Sequence, residues 1–190
     1  MRHATRICLA AALVYFSHTA AAQSEGGWDV ILNGRAVHMN AAKDWNEDNW
    51  GLGIEHEFNS TGRWIKVAMA NGFQDSMGDP SYMAGGGIKR RFHLGDHFYT
   101  DLGGIAFLMT RETVNGGQPF PGVLPAATFG FKRVAVNVTY LPESVVNDVT
   151  HSHKYDPSMH GVFFLQLKLD ASLFGFGRHA RPFVAENTAD

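Results

Sequence analysis

Residues 119–142 read Pro-Phe-Pro-Gly-Val-Leu-Pro-Ala-Ala-Thr-Phe-Gly-Phe-Lys-Arg-Val-Ala-Val-Asn-Val-Thr-Tyr-Leu-Pro. The second half alternates with period two, the spacing of a β-strand. Val134, Val136, Val138 and Tyr140 share one face, and Ala135, Asn137 and Thr139 share the other. The first set is β-branched and aromatic; the second is small and uncharged, as suits a wall facing a narrow interior. Lys132-Arg133 is a short polar break between this strand and the run Val123 to Phe131, so the two read as a hairpin. Pro119, Pro121 and Pro125 cannot serve a central ladder and mark a rim where pairing is interrupted.

Outward from this hairpin the chain reads as eight strands: Trp28 to Met39, Asn49 to Phe58, Arg63 to Phe73, Ser81 to Phe92, His97 to Thr110, Val123 to Phe131, Val134 to Leu141 and Gly161 to Leu169. The connections alternate between short (59–62, 94–96, 132–133) and long (40–48, 74–80, 111–122, 142–160). An even strand count with short turns at one end and long loops at the other is the arrangement of an outer-membrane barrel. In the last strand Phe163, Leu165, Leu167 and Leu169 form an apolar row opposite Gln166 and Lys168, costly in water and natural in lipid. Trp28, Trp50, Trp64, Tyr99 and Tyr140 fall near strand ends, as interfacial aromatic girdles do. The fold expected is all-β: an eight-stranded antiparallel transmembrane β-barrel with short inner turns and long outer loops.

Composition agrees with export. Residues 1–22 combine basic Arg2 and Arg6, an apolar core from Ile7 to Phe16 and a small-residue site at Ala20-Ala21-Ala22, so a signal peptide is expected there. The barrel is then 23–169 and a tail 170–190. The single cysteine, Cys8, leaves with that signal, and no disulfide or thiol chemistry is expected. The remaining chain keeps its 18 acidic residues against 16 basic ones less Arg2 and Arg6, which is no balance for a nucleic-acid binder. Composition leaves a soluble sandwich or lipocalin-like barrel open beside the outer-membrane barrel.

The Pro119, Pro121 and Pro125 run, Gly130-Phe131 and Thr139-Tyr140-Leu141-Pro142, preceded by His38, Asp75-Ser76 and Arg111, resembles the PagP family of outer-membrane lipid A palmitoyltransferases. The resemblance covers nearly all of the expected mature chain and implies transfer of a fatty acyl chain from a phospholipid donor to lipid A, in the outer membrane, by a monomer without cofactor. It sets His38 on the family's essential histidine, and Asp75 and Ser76 on its essential aspartate and serine. By chemistry, His38 would act as general base, Asp75 would orient it, and Ser76 would be either hydroxyl donor or transient nucleophile. Taken as residues alone, Asp75-Ser76 is a turn former and His38 an interfacial histidine.

Arg111 matches a family arginine suited to a lipid A phosphate; a solvated loop charge is the plain alternative. Gly87, within Ala84 to Ile88, matches the floor of the family's acyl-measuring slot, with Gly85 the second choice, so Gly87→Met is expected to favour shorter chains. Pro119, Pro121, Pro125 and Pro142 match the prolines flanking lateral gaps where lipid gains access, rim bulges being the bland reading. His151, His153 and His160, with Asp148 and Asp156, lack fixed ligand spacing, and no metal site is expected.

The sequence departs from the family in several places. Only 23–27 precede the first strand, so the family's leading amphipathic helix is not expected, and the first outer loop is shorter. Val37 and Met77 replace tryptophans, and 170–190 run past the last strand. A non-catalytic lipid-binding or structural barrel, or a lipid hydrolase on the same scaffold, remains as the alternative function.

Overall fold

The computed structural model describes residues 26–150 and 156–176; the expected signal peptide, His151, His153 and the tail beyond 176 lie outside them. Eight antiparallel strands close into a barrel, each bonded to its sequence neighbours and the last to the first. They are β1 Gly27–Met39, β2 Asp48–Glu57, β3 Trp64–Gln74, β4 Pro80–Leu94, β5 Phe98–Thr110, β6 Phe120–Phe131, β7 Val134–Pro142 and β8 Gly161–Asp170. The boundaries lie within a few residues of those expected. One element departs from expectation: within the last long connection, Glu143–Thr150 forms a helix, α1. Its valines suggest strand or loop in isolation, and the turn is held because Val145 and Val146 find apolar surface at the barrel mouth. Among the described residues no helix is long and apolar enough to cross a membrane.

The faces are inverted relative to a soluble barrel. Outside lie Leu52, Ile54, Ile88, Leu102, Leu108, Phe129, Val136 and Leu167, all exposed. Trp28 and Trp64 sit toward the short-turn end and Trp50 and Tyr82 toward the long-loop end, also exposed. Such an apolar band between aromatic rims is disfavoured in water and matches a bilayer. Tyr99 corrects the expected girdle. It faces inward, because its strand partner is Gly130 and Arg91 lies 4.3 Å from its ring centre. A Cβ at Gly130 would collide with that ring, so the glycine is required there.

The lower lumen holds charge. Arg91 donates to both carboxylate oxygens of Glu57 at 3.2 and 3.1 Å, and to those of Asp101 at 2.8 and 2.9 Å. Lys168 pairs with Asp29 at 3.1 Å and with Glu55, and Lys89 approaches Glu55 at 3.6 Å. Lys89 also donates to Thr128, whose hydroxyl donates to Asn137. An eight-stranded barrel is only wide enough for such side chains to fill it. Above this layer the lumen turns apolar around Met69, Met83, Ile105, Leu124 and Ala126, flanked by Phe73, Phe107, Met109 and Leu141.

Two irregularities set up the site. In β1 the register shifts between Asn33 and Arg35, leaving Gly34 as an extra residue opposite β8, while opposite β2 the extra residue falls on β2. Below the bulge Asp29, Ile31 and Asn33 face in; above it Ala36 faces in and Arg35 and Val37 face out. A straight strand would have sent His38 to the lipid side; the bulge turns it inward. The second irregularity is a split wall. The ladder between β6 and β7 runs from Phe131–Val134 up to Ala126–Thr139 and stops. Above it β6 pairs only with β5 as far as Phe120, and β7 only with β8 as far as Pro142.

Candidate active site

Beneath the long loops lies a cavity of about 320 Å³. Its walls are apolar (Phe73, Met83, Ile105, Phe107, Leu124, Phe164), and His38, Asp75, Ser76 and Arg111 line it as well. The four polar residues proposed from sequence are therefore brought together at one cavity. Pro121, Val123 and Leu141 also line it, although Val123 is 73% exposed on the outer wall. The cavity thus emerges sideways through the split between β6 and β7. Pro121 and Pro125 stand on one bank and Pro142 on the other, with Pro119 just before β6. Prolines lack the N–H that would zip the wall shut.

Gly85 and Gly87 face inward but do not line the cavity. A Cβ on Gly87 would meet Gly104 O at 2.5 Å and Ile105 Cγ2 at 2.7 Å. The volume left by the missing side chain is taken by Ile105 of the neighbouring strand. On their strands Met83, Ile105, Leu124 and Gln166 are the lining residues nearest the short-turn end, on the side of the charged layer. Gly87→Met would force β4 from β5 as well as altering any slot.

Asp75 opens the loop after β3, and its carboxylate is fully engaged. One oxygen accepts the Met77 and Asp79 amides at 2.8 and 3.1 Å; the other accepts Ser81 Oγ at 3.3 Å and Arg111 Nε at 3.0 Å. It fixes that turn and aims Arg111, and among the described residues no ion pair joins it to His38. The His38 ring, with its side chain 5% exposed, has Glu47 Oε1 3.8 Å from Nδ1. It stacks on Trp45, with ring centres 5.4 Å apart at 13°.

The first outer loop, 40–47, is moored at both ends of the site. Asn46 donates from its backbone to Ser76 O and from its side chain to Asp75 O, and Asn49 donates to Gln74 O at 2.8 Å. Asp156, from the last loop, accepts the amides of Ala42 and Lys43 at 3.0 Å each and Trp45 Nε1 at 3.1 Å. The Ser158 hydroxyl bonded to Asp156, together with those N–H donors, holds its carboxyl well below the usual carboxylate range. A depressed carboxyl stabilises the fold above its unfolded value and loses that contribution as pH falls through the folded one. The mooring is therefore intact at neutral pH and fails only in strong acid. Asp156→Ala is expected to open 40–47 to protease while the barrel stays folded, as limited proteolysis read by mass spectrometry would show. No cluster of three or more metal-ligating side chains occurs among the described residues.

Comparison with known proteins places this arrangement. The family model described as "Antimicrobial peptide resistance and lipid A acylation protein PagP" matches residues 28–152. The chain belongs to the PagP family. Among similar proteins, one named "Lipid A acyltransferase PagP" from Bordetella pertussis is 32% identical over 127 residues, covering 63% of this chain and 69% of that protein. Its namesake in Methylobacillus flagellatus is 32% identical over 97 residues, or 50% of this chain and 52% of that one. Another from Legionella longbeachae is 29% identical over 133 residues, or 65% and 57%. With PagP family membership and an apolar exterior, the chain is an outer-membrane β-barrel.

Glu47, Trp45 and the Met83 and Ile105 lining were missed in the sequence, and Asp156 was noted only beside the loop histidines, not as a mooring for 40–47. Glu47 shares its loop with Asp44 and flanks Asp48, and nothing in their spacing from His38 separates the three.

Proposed function

We propose that the protein is an acyltransferase that moves a palmitoyl-like chain from a glycerophospholipid to a lipid A hydroxyl. The observation that carries this reading is the apolar cavity opening sideways to the bilayer beneath His38, Ser76 and Arg111. A donor acyl chain slides in between β6 and β7, past Pro121, Pro125 and Pro142, and its ester carbonyl comes to rest at the mouth. His38 takes the proton of the attacking lipid A hydroxyl as its oxygen bonds to the carbonyl carbon. The Ser76 hydroxyl donates to the oxyanion that develops, or attacks first and passes the acyl group on. Collapse breaks the bond to the glycerol oxygen, which leaves with the proton from His38 as lysophospholipid. Arg111, aimed by Asp75, binds a lipid A phosphate. The reaction exchanges one ester for another and balances without a cofactor.

The protein acts as a monomer in this reading, since one chain supplies every group, and residues 1–22 direct its export as a cleaved signal. Mass spectrometry of lipid A from cells with and without the gene tests it: an added acyl mass is expected. Unchanged lipid A with free fatty acid released would mean a hydrolase, and no product of either kind a lipid-binding or structural barrel.

The short-turn end of the lining, the floor of the slot in this reading, sets the acyl length in place of Gly87. Met83→Ala lowers it by the length of that side chain and is expected to shift preference toward chains about two carbons longer, roughly tenfold at about 0.8 kcal/mol per methylene. Competition between donors of different chain length measures this, and an unchanged profile would place the ruler elsewhere.

A further inference from the structure

Glu47 is tied to three residues of the histidine strand. Its carbonyl accepts the Ala36 N–H at 2.9 Å. Its Oε1 accepts the His38 backbone N–H at 3.2 Å and lies 3.8 Å from the imidazole Nδ1. Its Oε2 accepts Arg35 Nη2 at 2.9 Å and Nε at 3.3 Å. Arg35 reaches it because the bulge at Gly34 turns Arg35 out to the rim while His38 turns in. Nδ1 of His38 is buried and has no hydrogen-bond partner among the described residues. An orphaned polar atom of that kind is costly, and a small rotation of the Glu47 side chain would bring 3.8 Å to hydrogen-bond length. Catalytic hydrogen bonds are often long before substrate binds and tighten in the complex.

We propose that Glu47 is the positioning residue for His38: its Oε1 accepts a hydrogen bond from Nδ1–H, fixing the tautomer that presents Nε2 to the acyl slot, while Arg35 clamps the other oxygen. The assignment rests on His38 as the general base. A carboxylate in this place also stabilises the imidazolium formed when the base takes its proton. Asp75 is not available for the task, being spent on Arg111 and its own turn. Asp156, the other acidic group near the ring, is spent on Ser158 and the 42–45 segment, and Arg111 is the nearby cation. The Arg35 hydrogen bond holds the Glu47 carboxyl below its usual value, which reinforces a charge it already carries at neutral pH.

The test compares Glu47→Gln, Glu47→Asp and His38→Ala in the full-length barrel, with folding confirmed by heat-dependent gel mobility. Glu47→Gln keeps an acceptor for Arg35 but loses the charge. It is expected to lower kcat about 10- to 100-fold, since a base displaced by an ångström loses about that much. KM should stay within about threefold, because no ground-state lipid contact is removed. Glu47→Asp should recover part of the loss. Nitrogen NMR of labelled histidine should show Nδ1 of His38 protonated in the wild type and a tautomer mixture in Glu47→Gln. Wild-type kcat in Glu47→Gln beside an inactive His38→Ala would overturn the role of Glu47 and leave the base standing. Full activity in His38→Ala would overturn the base itself.

Discussion

Acyl transfer is expected to fall by about 10²- to 10⁴-fold when His38 is replaced by alanine, the range that general acid–base groups contribute. The barrel should survive, because among the described residues the imidazole stacks on Trp45 and its Nδ1 makes no hydrogen bond. The loss should appear in kcat measured with phospholipid donor and lipid A in detergent micelles. His38→Asn is a useful companion, since it approximates the shape without a proton acceptor of comparable basicity. Retention of more than a tenth of wild-type activity in both would remove the histidine from the chemistry and leave Ser76 without a base.

A second large effect is expected far from the lipid site. Arg91→Met takes away the cation between Glu57 and Asp101 and leaves two carboxylates facing each other in a closed lumen. Breaking a buried pair from one side costs about 3–5 kcal/mol, because the partner charge stays behind without compensation. Denaturant unfolding followed by tryptophan fluorescence should record a loss of that size, and Glu57→Gln with Asp101→Asn in the same chain should return most of it. A loss below about 1 kcal/mol would mean that water, not Arg91, satisfies those carboxylates.

The parts of the fold that could be read in the sequence are those governed by simple alternation. Val134 to Tyr140 and Phe163 to Leu169 announce lipid on one side, and Asn137, Gln166 and Lys168 a polar interior on the other; the barrel bears this out. The site was less legible because its geometry depends on exceptions to alternation. Counting by twos from Asp29 puts His38 outside, and only the extra residue at Gly34 brings it in. A glycine there is compatible with a bulge but does not announce one. The partners of Asp75 and His38 were exchanged relative to expectation for a related reason. Loops 40–47 and 75–79 dock through Asn46 and Asn49, and side-chain amides bonding to distant carbonyls leave no periodic trace. Gly85 and Gly87 show the limit of reading a small residue as empty space, since Phe107 and Ile105 of the next strand respectively stand where their side chains would begin. Tyr99 shows the converse: an aromatic near a strand end that is interior because Gly130 makes room for it.

The paired charges beneath the slot also decide what the protein does to the envelope around it. With Lys89, Lys168 and Arg91 locked to their carboxylates across the lumen, paired side chains occupy the lower interior where an open channel would run. In the proposed reaction, substrate then exchanges with the surrounding lipid sheet through a doorway in the wall.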